Sequence, residues 1–159
     1  MTPRTLAATS TAVAATAALG SLASRDVAST WYRRLDKPAF QPAGAVFPAV
    51  WTALYADIAI TTASASDRLR QRGEHGRART LHRSLGLNLV LNTAWSWVFF
   101  RFHRLGPAVV VAGALAASSA DLSRQVAHAD RRAGLALAPY AVWCGFATVL
   151  SAAIWRRNR

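Results

Sequence analysis

Acidic side chains are scarce in this 159-residue chain, where 7 Asp and Glu stand against 19 Lys and Arg. Cysteine occurs once, at Cys144, so no disulfide can form within the chain, and a lone thiol among apolar neighbours packs as a small hydrophobe. The four histidines, His75, His82, His103 and His128, fall in or beside four different polar stretches with no metal-ligand spacing. There is also no glycine-rich phosphate loop and no nucleophile–base pair. The residues therefore point to no metal and no cofactor.

Charge is missing in a pattern. Cutting the chain at every Arg, Lys, Asp and Glu leaves uncharged blocks at Thr5 to Ser24, Ser84 to Phe100, Leu105 to Ala120 and Ala133 to Trp155, and a block at Pro38 to Ser66 broken only by Asp57. Together they hold 105 of the 159 residues. A net charge of +12 alone would suggest a nucleic-acid partner, but a mean hydropathy of +0.18 with segregated charge excludes a soluble basic domain. A membrane span needs ~20 mostly apolar residues, and backbone inside hydrocarbon must satisfy its own hydrogen bonds. The blocks lack the alternation of barrel strands. The expected fold is an all-α, polytopic membrane protein: one domain over residues 1–159, a bundle of five transmembrane helices near 5–24, 44–66, 82–100, 105–123 and 133–155.

The first block, after Arg4, has a composition that also suits a cleavable signal peptide. Its uncharged run is longer than an ordinary signal core, which favours a retained span. The connection over 25–43 carries Pro38 and Pro42 with Trp31, Tyr32 and Phe40, too aromatic for an inert linker. The Arg-rich stretch Asp67 to Arg83 reads as a solvated loop, Arg101 to Arg104 as a tight turn, and Arg124 to Arg132 as a fourth connection. Lys and Arg number 10 on one side and 9 on the other, so charge sets no orientation. Five spans put the termini on opposite faces.

Within the spans the aromatics fall on faces. Phe47, Trp51 and Tyr55 recur at i, i+4, i+8; Asn88 and Asn92 share a face with Trp95 and Phe99; Pro139, Trp143 and Ala147 align in the last span. Tryptophan in a membrane helix serves either as an interfacial anchor or as a ligand contact. Trp155, before Arg156 and Arg157, fits the anchor role, and Trp51, Trp95 and Trp143 fit it less well. A mid-span amide such as Asn92 needs a partner helix, water or ligand, so this face points into the bundle. Asp57 lies about 200° around the helix from Tyr55 at ~100° per residue, so hydrogen bonding to another helix is preferred over a transport role. The rows Ala112/Ala116/Ala120 and Gly113/Ala117 permit close helix approach, inside the bundle or between protomers.

Several strings carry a family resemblance: Trp31-Tyr32-x-x-Leu35-x-Lys37-Pro38-x-Phe40-x-Pro42, then Phe47-x-x-x-Trp51-x-x-Leu54-Tyr55, Leu91-Asn92-x-Ala94-Trp95 with Phe99-Phe100, Pro139-Tyr140-x-x-Trp143-x-x-Phe146-Ala147-Thr148, and Trp155-Arg156-x-Asn158. In this order, over nearly the whole chain, they resemble the TspO/translocator-protein family, also called tryptophan-rich sensory proteins or peripheral-type benzodiazepine receptors. The resemblance implies five helices and a pocket, closed by the first loop, that binds porphyrins, sterols and benzodiazepine-type compounds. By motif position Trp31, Trp51, Tyr55, Asn92, Trp95, Trp143 and Ala147 line or cover that pocket, and Phe47, Tyr140 and Phe146 complete the candidate set. Trp31 and Trp143 are the residues that a porphyrin-degrading reaction would involve. The resemblance also implies a homodimer, multi-pass in a membrane of a bacterial cell envelope, whose partners are tetrapyrroles or other hydrophobic molecules and lipid, not nucleic acid.

Three positions depart from the family pattern. Ala43 replaces a second loop proline and implies a less rigid loop; Trp97 stands where many members have proline, implying a different bend in the third span; Ala152 replaces the aromatic residue of a C-terminal sterol motif, which argues against specific cholesterol binding. A receptor or sensor for tetrapyrroles ranks first, because aromatic faces with a few polar groups suit planar macrocycles. A photo-oxidative porphyrin-degrading enzyme ranks second, on the resemblance alone. A transporter ranks third, since neither repeats nor broken helices are evident.

Overall fold

A computed structural model describes all 159 residues, the side chain of Asp26 excepted. Among the described residues every regular element is helical. Helix α1 (Pro3–Ser24) starts with proline in its first turn, where a missing N–H costs nothing, and Thr2 caps it by accepting from the Thr5 N–H at 3.3 Å. A 3-10 turn (Arg25–Ala28) leads to the short α2 (Thr30–Arg34), capped by Ser29. Helices α3 (Val46–Gln71), α4 (His75–Ser96), α5 (Leu105–Ala129) and α6 (Arg131–Arg157) follow. At Trp97 the α4 helix passes into a π-helical turn, Trp97–Arg101, so the bend expected where Trp97 replaces proline takes the form of a wider turn.

Two connections are shorter than the charge pattern suggests. The stretch Asp67 to Arg83, read as a solvated loop, is helical except around Gly73, which turns the chain at φ 75. Likewise α5 runs to Ala129 and α6 begins at Arg131, leaving Asp130 as the hinge and N-cap. Arginine is a good helix former, and charged helix ends extend past the apolar zone without unwinding. Charge marks where hydrocarbon ends, which is not where the helix ends. Helices α1, α3, α5 and α6 are long and apolar enough to cross a membrane. Helix α4 is not among them, because His75, Arg77, Arg79, His82 and Arg83 occupy its first half.

The long helices close a ring in the order α1, α3, α6, α5, α4, with α5 and α6 in the most extensive contact. Helix α3 also reaches across to α4 and α5. From Ile58 onward it is enclosed nearly all round, with Ile58, Ala59, Thr61, Thr62, Ala63, Ala65, Ser66, Asp67 and Leu69 buried, whereas before Ile58 it buries Leu54 alone. Small side chains let helices approach at one end; Trp51, Tyr55 and their neighbours hold them apart at the other. Helix α1 is joined to α3 by hydroxyls: Thr9 donates to the Ala59 carbonyl at 3.0 Å and Thr5 to the Asp67 carboxylate at 2.7 Å.

The small-residue rows of α5 pack inside the chain at Ala112 and Gly113, whereas Ala117 and Ala120 are exposed. Ala112 is buried, and a Cβ added to Gly113 would lie 3.8 Å from Thr148 of α6. Asp57 departs from expectation: it is half-buried, and among the described residues its carboxylate meets no hydrogen-bond or ion-pair partner. The helix–helix bond expected of it is not made, because it lies beside exposed Ala53, Ala56 and Ile60 on the outer face of α3.

The tightest approach predicts a contrast. A Cβ on Gly134 would sit 2.5 Å from the Cα of Ala127, a backbone atom that cannot yield without moving α5, whereas one on Gly86 would meet nothing within 4 Å. Gly134→Ala should lower stability by about 1–3 kcal/mol, seen as a reduced melting temperature in detergent, and Gly86→Ala should leave it unchanged or raise it. Equal melting temperatures would contradict the close α5–α6 crossing.

Candidate functional site

The candidate residues gather at the wide end of the bundle, on α3, the end of α4, α6 and the connection before α3. On α3, Trp51 and Tyr55 lie one turn apart with ring centroids at 5.4 Å, and Trp51 meets Tyr140 of α6 edge-on at 6.4 Å. Phe47 meets Trp143 edge-on at 5.9 Å, and Trp143 lies 5.3 Å from Phe146. Trp95 packs on Phe99 and Phe100 of the π-helical turn, at 5.9 and 5.8 Å, and its indole N–H reaches Ser151 of α6 at 3.4 Å. Trp51, Tyr55, Trp95, Trp143, Phe146 and Ala147 are all half-buried, so their apolar faces are only partly consumed by packing.

These residues form two groups. Trp31, Phe47, Trp95 and Phe146 pack against a cluster at the loop end built on Phe99, Ala108, Leu150 and Ile154. Trp51, Tyr55 and Trp143 pack against the main core that holds Tyr140 and Cys144. The Phe47–Trp143 contact joins the two groups. Trp31 and Trp143 share no ring contact among the described residues.

The connection that carries Trp31 is tied down at several points. Trp31 stacks on His103 with centroids 3.8 Å apart and planes 19° from parallel, and meets Phe99 edge-on at 6.2 Å. His103 holds this place with φ 54, a left-handed backbone that side chains other than glycine rarely adopt. Lys37 Nζ donates to the carbonyls of Tyr32 and Leu35 at 2.5 and 3.2 Å and sits 4.6 Å from the Tyr32 ring centre. Gln41 Nε2 donates to the Tyr32 hydroxyl at 3.4 Å, and burial raises the Tyr32 phenol above its ordinary value. Farther along, the Asp36 N–H donates to Asn158 Oδ1 at 2.9 Å while Asn158 Nδ2 donates to the Asp36 carbonyl at 2.9 Å, and Arg157 lies 3.4 Å from the Asp36 carboxylate. That two-way amide clamp fixes the loop to the end of α6.

Below the aromatic walls runs a chain of buried polar groups. The Tyr55 hydroxyl donates to Asn92 Oδ1 at 2.9 Å; Asn92 Nδ2 donates to Tyr140 Oη at 3.4 Å; the Tyr140 hydroxyl donates to Asn88 Oδ1 at 2.7 Å; Asn88 Nδ2 donates to Ser119 Oγ at 3.0 Å. Asn88, Asn92, Tyr140 and Ser119 are at most 1% exposed, a burial that polar groups tolerate only when paired. Cys144 is buried beside this chain, its Sγ 3.4 Å from Ser119 Oγ.

Sequence reasoning missed His103, Ser119 and the Asp36–Asn158 clamp. A pair of amides at i, i+4 was a usable signal that polar partners must exist on another helix, and Ser118-Ser119 was the matching pair. Two clefts of about 450 and 270 Å³ lie at the opposite end, walled by Arg68 and Arg72 in one and Arg77 and Arg124 in the other. They are lined by no Trp, Tyr or Phe and stand apart from the candidate residues.

The sequence profile of the TspO/MBR family matches residues 8–156. Similar proteins include protein CrtK of Rhodobacter capsulatus, 30% identical over 128 residues that cover 80% of this chain and 78% of that one. The tryptophan-rich sensory protein of Cereibacter sphaeroides is 31% identical over 128 residues, 80% of this chain and 77% of that one. The translocator protein of Sus scrofa is 31% identical over 149 residues, 88% of this chain and 83% of that one.

The polar chain makes its own prediction. Tyr140→Phe removes one hydroxyl and strands both Asn88 Oδ1 and Asn92 Nδ2, so it should cost about 2 kcal/mol or more, the penalty of unpaired buried groups. Cys144→Ala, at similar depth but with one weak bond, should cost less. Thermal unfolding in detergent measures both, and the reverse order would contradict the network.

Proposed function

The chain belongs to the TspO/MBR family, and from that premise we propose that it is an integral membrane receptor that binds tetrapyrroles and similar hydrophobic ligands between α3, α4 and α6. In this reading α4 is the fifth span: its uncharged half, Ser84 onward, continues through the π-helical turn, and its arginine-bearing half stands in the interfacial layer. The observation that carries the proposal is the set of half-buried aromatic faces on three helices, set over a hydrogen-bonded floor. Planar aromatic ligands stack on such walls, and a few fixed polar groups orient them. The tied loop with Trp31 and the Trp143 wall would bound the ligand from two sides. The same chain is proposed to pair with a second copy, with the exposed Ala117 and Ala120 of α5 available for close helix contact.

Enzymatic porphyrin breakdown is the alternative that Trp31 and Trp143 raise, and one comparison separates it from binding. Trp31→Phe and Trp143→Phe keep an apolar aromatic surface but remove the indole's N–H and its easily oxidised ring. If the two residues act by stacking, protoporphyrin affinity measured by absorbance titration in the dark should fall by no more than a few fold. Conversion under illumination, if the protein performs it, should fall much further in both variants. Absence of saturable porphyrin binding by the wild type would defeat the receptor proposal.

A further inference from the structure

The hydrogen-bond chain beneath the aromatic walls has a fixed direction, and that direction constrains the ligand. At its far end the Ser119 hydroxyl donates to the Leu115 carbonyl at 2.8 Å, and a carbonyl can only accept. With its one hydrogen committed there, Ser119 Oγ faces Asn88 at 3.0 Å as an acceptor, so the Asn88 group beside it must be the NH2. Asn88 Oδ1 then points at Tyr140, which must donate to it at 2.7 Å. Tyr140 Oη, its hydrogen spent, accepts from Asn92, which turns the Asn92 NH2 toward Tyr140 and its Oδ1 toward Tyr55. Tyr55 must therefore donate at 2.9 Å. No amide can be turned over without setting two acceptors against each other in a buried place.

The last member, Tyr55, is half-buried on the same α3 face as Trp51. Its hydrogen is committed to Asn92, so its oxygen keeps only lone pairs. We propose that Tyr55 Oη is a hydrogen-bond acceptor presented to the binding site, and that the site selects ligands that offer an N–H or O–H at that point over isosteres that offer only an acceptor. The inference rests on the receptor reading above. It names a specificity-determining atom and a ligand class: planar aromatics with a donor, such as a macrocycle with pyrrole N–H groups.

The test uses the full chain in lipid nanodiscs, with empty discs subtracted, and two fluorescent probes that differ by one methyl cap, hydroxypyrene and methoxypyrene, beside protoporphyrin. Hydroxypyrene should bind about five- to tenfold more tightly than its methyl ether, the size of one net hydrogen bond. Ser119→Ala, two helices away from Tyr55, frees the direction of the chain by removing the committed donor. Its discrimination between the probes should shrink to within about twofold, which loss of packing alone would not produce. Equal or reversed probe affinities in a wild type that binds protoporphyrin overturn the donor-selecting role and leave the receptor reading standing. Full discrimination in a folded Ser119→Ala protein overturns the relay as its cause. Absence of saturable binding by any probe defeats the receptor reading and this inference together. Should Ser119→Ala not fold, the wild-type comparison decides by itself.

Discussion

A polar side chain inside hydrocarbon has no water to turn to, and the buried chain from Tyr55 to Ser119 is this protein's answer to that constraint. Its members come from α3, α4, α5 and α6, and each bonds to a residue of another helix. The four helices must therefore keep one register at this level. Slippage by a single turn would strand several donors and acceptors at once, at about 1–3 kcal/mol apiece. Helix α1 is held separately, by its own Thr5 and Thr9, which donate to Asp67 and Ala59 of α3. With the register set, the rest follows from side-chain size. Ala63, Ala65 and Ser66 draw the helices together on one side of the polar layer, and Trp51, Trp95 and Trp143 spread them on the other.

At the wide end Trp51, Tyr55, Trp95, Trp143 and Phe146 are only half-buried. The connection before α3 is held there by two long-range attachments, the Trp31–His103 stack and the amide clamp between Asp36 and Asn158. Fixed at both ends, the connection over 25–43 presents its tryptophan from a defined position.

Much of the fold was legible because hydrocarbon imposes a coarse rule on sequence. Uncharged blocks mark the long helices, and the spacing of Phe47, Trp51 and Tyr55 puts them on one face. The helix ends were not legible, since Arg68, Arg70, Arg77 and Arg79 remain helical in water as readily as in the interface. The lack of a helix partner for Asp57 was not legible, because angle alone says which residues share its face and nothing about which helix lies opposite. The sense of the polar chain was beyond reach too, for its links join residues 31 to 52 positions apart. His103 gave no signal at all: its stack on Trp31 needs the left-handed turn that follows the π-helical segment, and nothing in composition announces that turn.

The central claim is the place of the ligand, and a structure of the protein with protoporphyrin bound tests it most directly. The account predicts the macrocycle between α3, α4 and α6, with its faces against Trp51, Trp95 and Trp143 and its edge covered by Trp31. A macrocycle bound instead on the outer surface, against the exposed Val142 and Val149 of α6 or in the arginine-walled clefts at the narrow end, would contradict it.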